Sequence, residues 1–229
     1  MCGRYTLALP AVQVKNRFHV EFDASQFRQH FNAAPGQTLP LITDEAPDTL
    51  SYHRWGLLPF WAKDPKIGYK MINARAETLL EKSAFKHPVK RQRCLVIADS
   101  FYEWERVDKK TKQPYRIGLH QFAPFAMAGI WSEWKDAEER PIRTFSIITV
   151  NANALVAPIH DRMPAILPEA QEREWLSHDL PLEDVLQLLQ PFPATDMERY
   201  KVSDRVNKAA NDEPDLIEPL AGGEQGALF

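Results

Sequence analysis

Short runs of β-branched, aromatic and aliphatic residues recur along the first two thirds of the chain, and turn-forming residues separate them. Such runs are typical of β-strands. Seven strands are predicted in this way: Thr38–Thr43, Thr49–Trp55, Cys94–Ala98, Phe101–Val107, Tyr115–His120, Phe125–Trp131 and Arg143–Val150. The lysine-rich residues 108–114 lie between two of these strands and predict a hairpin connection, with Pro114 opening the return strand.

Helical periodicity is less frequent and lies mostly late in the chain. Four helices are predicted: Ala11–Val20, Ala74–Lys82, Pro168–Ser177 and Leu182–Leu189. Strands followed by helices, without regular alternation, predict an α+β fold rather than a parallel βαβ sheet. The 18 prolines and 9 glycines favour short elements joined by rigid turns. We expect one domain over residues 1–220 and a flexible tail over residues 221–229.

The composition is that of an ordinary globular protein, because 44% of the 229 residues are hydrophobic and 26% are charged. No apolar run reaches the roughly 18 residues of a membrane-spanning helix, and the start lacks the pattern of a secretory signal. We therefore expect a cytoplasmic protein with no membrane partner. The two cysteines form neither a disulfide framework nor a metal-binding pair, so neither a metal nor an organic cofactor is expected. The common phosphate-binding, hydrolase and zinc-protease motifs are absent.

The formal net charge of −3 hides two regions of opposite sign. Residues 1–162 carry 23 basic and 17 acidic side chains, a net charge of +6, whereas residues 163–229 carry 5 and 14, a net charge of −9. The most basic stretch, residues 63–116, has 14 basic and 7 acidic side chains. Aromatic residues are interspersed through and beside it: Trp55, Phe60, Trp61, Tyr69, Phe101, Tyr102 and Trp104. Basic groups with exposed rings suit single-stranded nucleic acid, although the same rings could belong to the core.

Cys2 occupies a position with a specific chemistry. Initiator methionine is removed when the second residue is small, so we expect a mature chain that begins with cysteine. Its α-amine and thiol would then form a 1,2-aminothiol, which condenses with an aldehyde to an imine and closes to a thiazolidine. Both groups are partly nucleophilic near neutral pH. Position alone is weak support, because a cysteine at residue 2 can also be accidental.

Three further segments contain candidate reactive residues. Asn73 and Arg75 lie at a predicted strand-to-helix junction, where they could also be a helix cap and a surface residue. Glu103 and Glu105 share one face of an aromatic strand, so a raised pKa and proton transfer are one interpretation and a solvent-facing edge is the other. His160 lies in a loop stiffened by prolines and suits a proton shuttle, although a lone histidine is more often structural.

Six motifs occur in an order and spacing that resemble the SOS-response-associated peptidase (SRAP) family, over residues 2 to about 207. They are Cys2–Tyr5, Asn32–Gly36, Trp55–Trp61, Ile72–Thr78, Ala98–Glu105 and Ile159–Pro164. The resemblance implies a single α+β domain with a β-rich, barrel-like centre. It also implies a protein that crosslinks to abasic sites in single-stranded DNA, acting in the DNA damage response.

The resemblance implies a role for each matching residue. Cys2 is the nucleophile, Asn73 positions the N-terminus or the sugar, Glu103 is the acid or base, and His160 protonates the sugar oxygen. DNA-binding roles are implied for the following residues: Arg4, Phe60, Trp61, Arg75, Trp104, Thr149, Arg162 and Asn207. Of these, Arg4, Arg75 and Arg162 are expected to bind phosphates, and Thr149 and Asn207 match less closely.

The chain departs from the family pattern at two positions. Phe60-Trp61 stands where the family often has two tryptophans, so weaker wedging between bases is expected. Met163 stands where arginine is common, which removes one expected phosphate contact. Cys94 lies in an apolar run and is predicted to be core.

Three functions therefore compete. The first is covalent capture of abasic sites in single-stranded DNA, with a possible lyase side activity by β-elimination from the imine. The second is a peptidase, or a self-processing enzyme, with Cys2 as nucleophile and His160 as base. The third is a single-stranded DNA-binding module without catalysis. The sequence favours the first, in a monomer that associates with the nucleoid when bound to DNA.

Overall fold

The computed structural model describes residues 2–220. The thirteen strands are β1 Tyr5–Leu7, β2 His30–Ala33, β3 Thr38–Thr43, β4 Ala46–Trp55, β5 Asn73–Arg75, β6 Arg93–Ala98, β7 Ser100–Arg106, β8 Lys112–Leu119, β9 Phe125–Lys135, β10 Pro141–Asn151, β11 Arg162–Pro164, β12 Ile166–Leu167 and β13 Met197–Lys201. The α-helices are α1 Ala11–Phe18, α2 Ser83–Lys86, α3 Pro88–Arg91, α4 Glu169–Leu176 and α5 Leu182–Gln187. Short 3-10 helices cover Pro65–Lys70, Ala76–Thr78, His120–Phe122, Ala194–Asp196, Asp204–Asn207 and Pro214–Ile217.

Five strands close into a barrel. Their neighbours run in the order β10, β4, β3, β6 and β9, and β9 pairs again with β10, so the ring of hydrogen bonds has no free edge. All pairings in the ring are antiparallel except that of β10 with β4. Closure protects the backbone groups that an open sheet would expose. Three strands attach to the barrel from outside, because β5 and β11 pair with β10, and β12 pairs with β9.

Large aromatic side chains fill the barrel and join it to its surroundings. Trp55 stacks on Phe145 with ring centroids 6.1 Å apart, and Tyr5 of β1 lies 5.2 Å from Trp55. Helix α4 covers the outside, where Trp175 donates from its indole nitrogen to the Cys94 carbonyl at 3.0 Å. All five side chains are buried, so the barrel, β1 and α4 share one hydrophobic core.

A second, antiparallel sheet has the order β13, β8, β7, β1 and β2. Only Asp99 separates barrel strand β6 from β7, so the chain passes directly from one sheet to the other. The Asp99 carboxylate is buried and accepts hydrogen bonds from Thr6 and from the Arg116 guanidinium. Arg116 also donates to Tyr200 at 2.7 Å, which ties β13 to the junction. This network satisfies charges that burial would otherwise penalise.

The predicted α+β class and the β-rich, barrel-like centre are confirmed, and all seven predicted strands are present. The hairpin over residues 108–114 is also present as the β7–β8 connection. The helix predicted over Ala74–Lys82 is wrong. Residues 73–75 pair in parallel with β10, and only Ala76–Thr78 forms a short 3-10 helix. Tertiary pairing overrides the local helical pattern here, because Ala74 is completely buried against the barrel.

Residues 1–220 as the limits of one domain stay a prediction, and the predicted tail over residues 221–229 lies outside the described residues. Within residues 2–220, no helix is long and apolar enough to cross a membrane.

Tight packing around Gly129 inside the barrel leaves no room for a larger side chain. It pairs with Cys94 across β6 and β9, and an added Cβ would lie 2.8 Å from the Cys94 sulfur. Gly129→Ala should therefore lower the free energy of unfolding by about 2 kcal/mol, as measured by urea denaturation. Cys94→Ala alone should cost about 1 kcal/mol through the small cavity it leaves.

The double variant tests the cause. Removing the sulfur makes room for the new methyl group, so the double variant should be more stable than the sum of the single effects by about 1 kcal/mol. Strict additivity would show that the Gly129 effect has another origin.

Candidate active site

The antiparallel pairing of β1 with β7 places the start of the chain beside Glu103. Tyr5 lies opposite Phe101, so residues before Tyr5 run alongside those after Phe101. The amide nitrogen of Asn73 donates to the backbone carbonyl of Cys2 at 2.8 Å, which adds a link from β5. The Cys2 thiol is fully buried and donates to the Arg4 carbonyl at a sulfur–oxygen distance of 3.7 Å. Two strands from different sheets thus fix Cys2.

The electrostatics of the site follow from burial. Burial raises the pKa of the Cys2 thiol well above its usual range, and the nearby Glu103 charge raises it further. Burial also raises the pKa of Glu103, while the charge of His160 acts in the opposite direction. Glu103 therefore lies within electrostatic range of both Cys2 and His160. A protonated thiol beside a carboxylate of raised pKa is an arrangement suited to proton transfer.

His160 lies in the loop that enters β11. Its Nδ1 accepts a hydrogen bond from the Arg162 backbone N–H at 3.0 Å, and the Asp161 carboxylate lies 2.9 Å from the same nitrogen. The contact with the backbone N–H fixes the orientation of the ring.

The Arg162 guanidinium is held inside the protein rather than presented to solvent. It forms a bidentate ion pair with Glu77 at 2.8 and 2.9 Å and donates to the Asn151 side chain and the Thr149 carbonyl at 2.6 Å. Hydrogen bonds from Arg162 lower the pKa of Glu77. These bonds tie β11 to β10 and to the residues after β5, so they position His160 and Asn73 relative to each other. Sequence reasoning missed Glu77 because it lies 85 residues from its partner.

Arg4 is likewise engaged by the protein. Its guanidinium donates to the Asn32 side chain at 2.9 Å and to the carbonyls of Val206 and Asn207 at 2.7 and 3.2 Å. Asn32 is completely buried, and the two hydrogens of its side-chain amide nitrogen are shared among three carbonyls, those of Val206, Lys208 and Asn211. The resemblance implied phosphate binding for Arg4, whereas the structure gives it an anchoring contact with residues 206–207.

The anchored residues 206–211 hold Asn207 beside Trp104, the residue that follows Glu103. Its side-chain oxygen accepts a hydrogen bond from the Trp104 indole nitrogen at 2.7 Å. Asp212 fixes the other end of the segment, because its carboxylate accepts from the backbone N–H groups of Phe31 and Asn32. The sequence motif includes Asn32 but does not indicate that Asn32 anchors residues 206–211, because these partners lie more than 170 residues away. We call Asn32 the clamp of this segment.

The aromatic residues of the basic stretch divide into core and surface. Trp55, Phe101 and Tyr102 are buried, whereas Phe60 and Trp61 are 69% and 46% exposed. The surface also includes Tyr69 and Arg75. Exposed rings on a globular protein are candidates for stacking contacts with a ligand.

Some of the buried polar atoms that lack hydrogen-bond partners lie near the site. Among the described residues they include Oδ1 of Asn73, Oγ1 of Thr149 and Nε of Arg162. Thr149 lies opposite Arg75 in the β5–β10 pairing, so these atoms belong to one contiguous region. Unsatisfied buried groups are uncommon in proteins, and a ligand that donates and accepts hydrogen bonds would satisfy them. In residues 2–220, no group of three or more His, Cys, Asp or Glu side chains could hold a metal ion.

The barrel-centred α+β fold holds a cysteine at residue 2 beside a buried glutamate, an asparagine and a histidine. Residues 1–209 match the SOS response associated peptidase (SRAP) family, and the chain belongs to it.

Individual relatives agree with the family match. The chain is 48% identical over 222 residues to the abasic site processing protein YoqW of Bacillus subtilis, covering 95% of this chain and 99% of that one. It is 33% identical to the abasic site processing protein HMCES of Gallus gallus, covering 97% of this chain and 79% of that one. A crystal structure of a Bacteroides thetaiotaomicron protein superimposes with a TM-score of 0.87 at 30% identity, covering 95% and 99% of the two chains.

The clamp at Asn32 generates a prediction. Asn32→Asp keeps the size of the side chain but replaces the donating nitrogen with a carboxylate oxygen beside three carbonyls, so the free energy of unfolding should fall by about 2 kcal/mol. Hydrogen exchange should become faster in residues 204–212. Asn16→Asp makes the same chemical change on the exposed surface of α1 and should have neither effect. Unchanged exchange in Asn32→Asp would contradict the assignment of Asn32 as the clamp.

Proposed function

We propose that this protein captures abasic sites in single-stranded DNA as a covalent adduct with Cys2. The observation that carries the proposal is the burial of the Cys2 thiol within electrostatic range of Glu103 while Asn73 holds the Cys2 carbonyl. The relatives named as abasic site processing proteins support the same class of substrate.

The chemistry begins with removal of Met1, which exposes the Cys2 α-amine. The amine attacks the aldehyde of the ring-opened abasic sugar, and loss of water gives an imine. The thiol then adds to the imine carbon while its proton passes to a base and the imine nitrogen gains a proton. The product is a five-membered thiazolidine, and no oxidant, reductant or metal is consumed.

Glu103 is the base in this proposal. The raised pKa of the thiol keeps sulfur protonated until the imine forms, so the reaction needs a nearby proton acceptor. The raised pKa of Glu103 makes that carboxylate a stronger base than an exposed glutamate. His160, whose charge acts on Glu103, protonates the sugar oxygen during ring opening in this proposal.

The surface around this centre supplies DNA contacts. Phe60, Trp61 and Trp104 offer rings for base stacking, and Arg75 offers an exposed charge for phosphate. Thr149 and Asn207 are proposed as polar contacts with the DNA. Arg4 and Arg162 contribute as positioning residues, because their guanidinium groups are already bonded within the protein.

A peptidase with Cys2 and His160 is less well supported by the same geometry. Cysteine peptidases depend on a thiolate formed at a lowered pKa, whereas burial raises the pKa of the Cys2 thiol. Strand cleavage by β-elimination from the imine needs only the groups already described. It is proposed as a side activity that thiazolidine closure suppresses.

Cys2→Ala tests the covalent step, because it keeps the α-amine and removes the thiol. The variant should form no heat-stable adduct with an abasic single strand in a denaturing gel. Borohydride should still trap its imine with the DNA. Wild-type protein should give the stable adduct without borohydride.

The DNA control is a strand carrying tetrahydrofuran at the abasic position, which lacks the aldehyde and should form no adduct with either protein. A heat-stable adduct from Cys2→Ala in the absence of reductant would overturn the proposal. Cleavage of casein by wild-type protein but not by Cys2→Ala would favour the peptidase instead.

Glu103→Gln should slow adduct formation by about 100-fold while leaving affinity for the tetrahydrofuran strand within a factor of about two. The wild-type rate should fall as the pH drops through the raised pKa of Glu103, since the protonated carboxyl cannot accept the thiol proton. Protonation of the α-amine slows both proteins, so the ratio of their rates isolates Glu103. A ratio that is constant from pH 5 to 8 would exclude Glu103 as the base.

A further inference from the structure

The β7–β8 hairpin projects a concentration of positive charge beside the site. Residues 106–112 contain four basic side chains and one acidic side chain, Asp108. The Asp108 carboxylate is occupied by the turn, because it accepts from the backbone N–H groups of Lys110 and Thr111 at 2.7 and 2.8 Å. These bonds lower the pKa of Asp108 and hold the turn in one conformation. Among the described residues, no carboxylate forms an ion pair with Lys110 or Lys112.

A surface groove joins this charge to Trp104. Its lining residues are Trp104, Lys110, Lys112 and Asn207, and we call it the hairpin groove. The bond from the Trp104 indole nitrogen to Asn207 holds the ring in place, and the anchors at Arg4 and Asn32 hold Asn207. The groove therefore has a fixed aromatic wall and two cationic side chains.

The hairpin groove and the proposed reaction centre share strand β7. Trp104 directly follows Glu103 on β7, and the β1–β7 pairing brings the start of the chain alongside these residues. Successive residues of a strand point to opposite faces, so Glu103 is buried on one face of β7. Trp104 lies on the other face, half-buried against Val202 and Val206, and lines the groove. A DNA strand whose lesion reaches Cys2 must leave the centre past neighbouring surface groups.

We propose that the hairpin groove binds the part of the DNA strand that flanks the lesion. Trp104 stacks with an adjacent base, and Lys110 and Lys112 bind the phosphates next to it. The inference rests on the proposed function and extends it, because it assigns two lysines that no motif identified. An aromatic face beside paired cations favours nucleic acid over an acidic peptide, which offers carboxylates but no bases to stack.

The test compares Lys110→Ala/Lys112→Ala with wild-type protein by fluorescence anisotropy. One probe is a twelve-nucleotide strand with a central tetrahydrofuran, and the other is a trinucleotide with the same analogue. The double variant should bind the long strand about tenfold more weakly, and the slope of log affinity against log salt should decrease by about 1.4. Binding of the trinucleotide should change less than about twofold, since it is too short to extend from the lesion into the groove.

A charge-matched control is Lys86→Ala/Lys90→Ala, which removes two exposed lysines of α2 and α3, outside the hairpin and the groove lining. It should leave binding of both probes within about twofold of wild type. Equal losses of affinity in the two double variants would show that the effect comes from net charge alone, and this would overturn the proposal that the groove binds DNA. Equal losses on long and short strands would also overturn it. A ten-residue polyglutamate that displaced the long strand as well as unlabelled DNA does would identify an acidic-peptide site instead.

The two proposals fail separately. At saturating concentrations of authentic abasic DNA, Lys110→Ala/Lys112→Ala should still form the full yield of adduct, because Cys2 and Glu103 are unchanged. Absence of an adduct from wild-type protein would overturn the proposed function, while the anisotropy data would still decide the groove. A normal adduct yield with unaltered affinity for the long strand would overturn the groove alone.

Discussion

The pairing of β10 with its neighbours is the constraint on which the rest of the structure depends. Strand β10 closes the barrel by bonding β4 on one side and β9 on the other. Further along, the same strand pairs with β5 and β11. Asn73 therefore lies in register with Ile147, and Arg162 lies in register with Asn151. A shift of one residue in either pairing would turn these side chains to the opposite face, so closure of the barrel and assembly of the site have one cause.

Burial at this site is unfavourable for charged side chains, and it also raises the pKa values of Cys2 and Glu103. An ionised carboxylate is expensive to bury, and Glu103 and Cys2 share a region where the raised pKa values favour their protonated forms. The surrounding hydrogen bonds offset that penalty, because Asn73, Arg162 and Arg4 each link two elements that are distant in sequence. The rigid frame holds a thiol and a carboxylate together that would otherwise move apart into water. This is the preorganisation that acid–base chemistry requires.

Much of the fold could be predicted because its main strands carry strong local patterns. Strand β3 has the bounds that its run of apolar residues indicates, and the other six predicted strands begin and end within a few residues of expectation. Elements whose stability comes from distant partners could not be found in this way. Strands β1 and β5 have three residues each, and β13 depends on β8, more than 75 residues earlier. Ala74–Lys82 shows the opposite error, since a local helical pattern yielded to pairing with β10.

The residues of the candidate site also differ in how far the sequence could predict them. Motifs indicated Cys2, Asn73, Glu103 and His160, and the geometry brings them together. The sequence motifs could not predict that Arg4 and Arg162 bond within the protein, because a motif identifies an arginine but not whether its partner is phosphate or protein. The functions of Glu77 and Asn32 could not be predicted either, because each acts through a partner far along the chain.

Hydrogen bonds and ion pairs inside the protein also decide which charges act on an approaching ligand. Acidic side chains outnumber basic ones overall, yet several are consumed by internal bonds: Asp212 binds the backbone of β2, Glu77 binds Arg162, and Asp99 binds Arg116. An acidic group that is hydrogen-bonded and paired repels an approaching phosphate less than an unpaired one. Among the described residues, no carboxylate pairs with Lys110 or Lys112, which line the hairpin groove with Trp104. The field that an incoming DNA strand meets is therefore set by which charges the fold leaves unpaired, and the sum over the sequence does not reveal it.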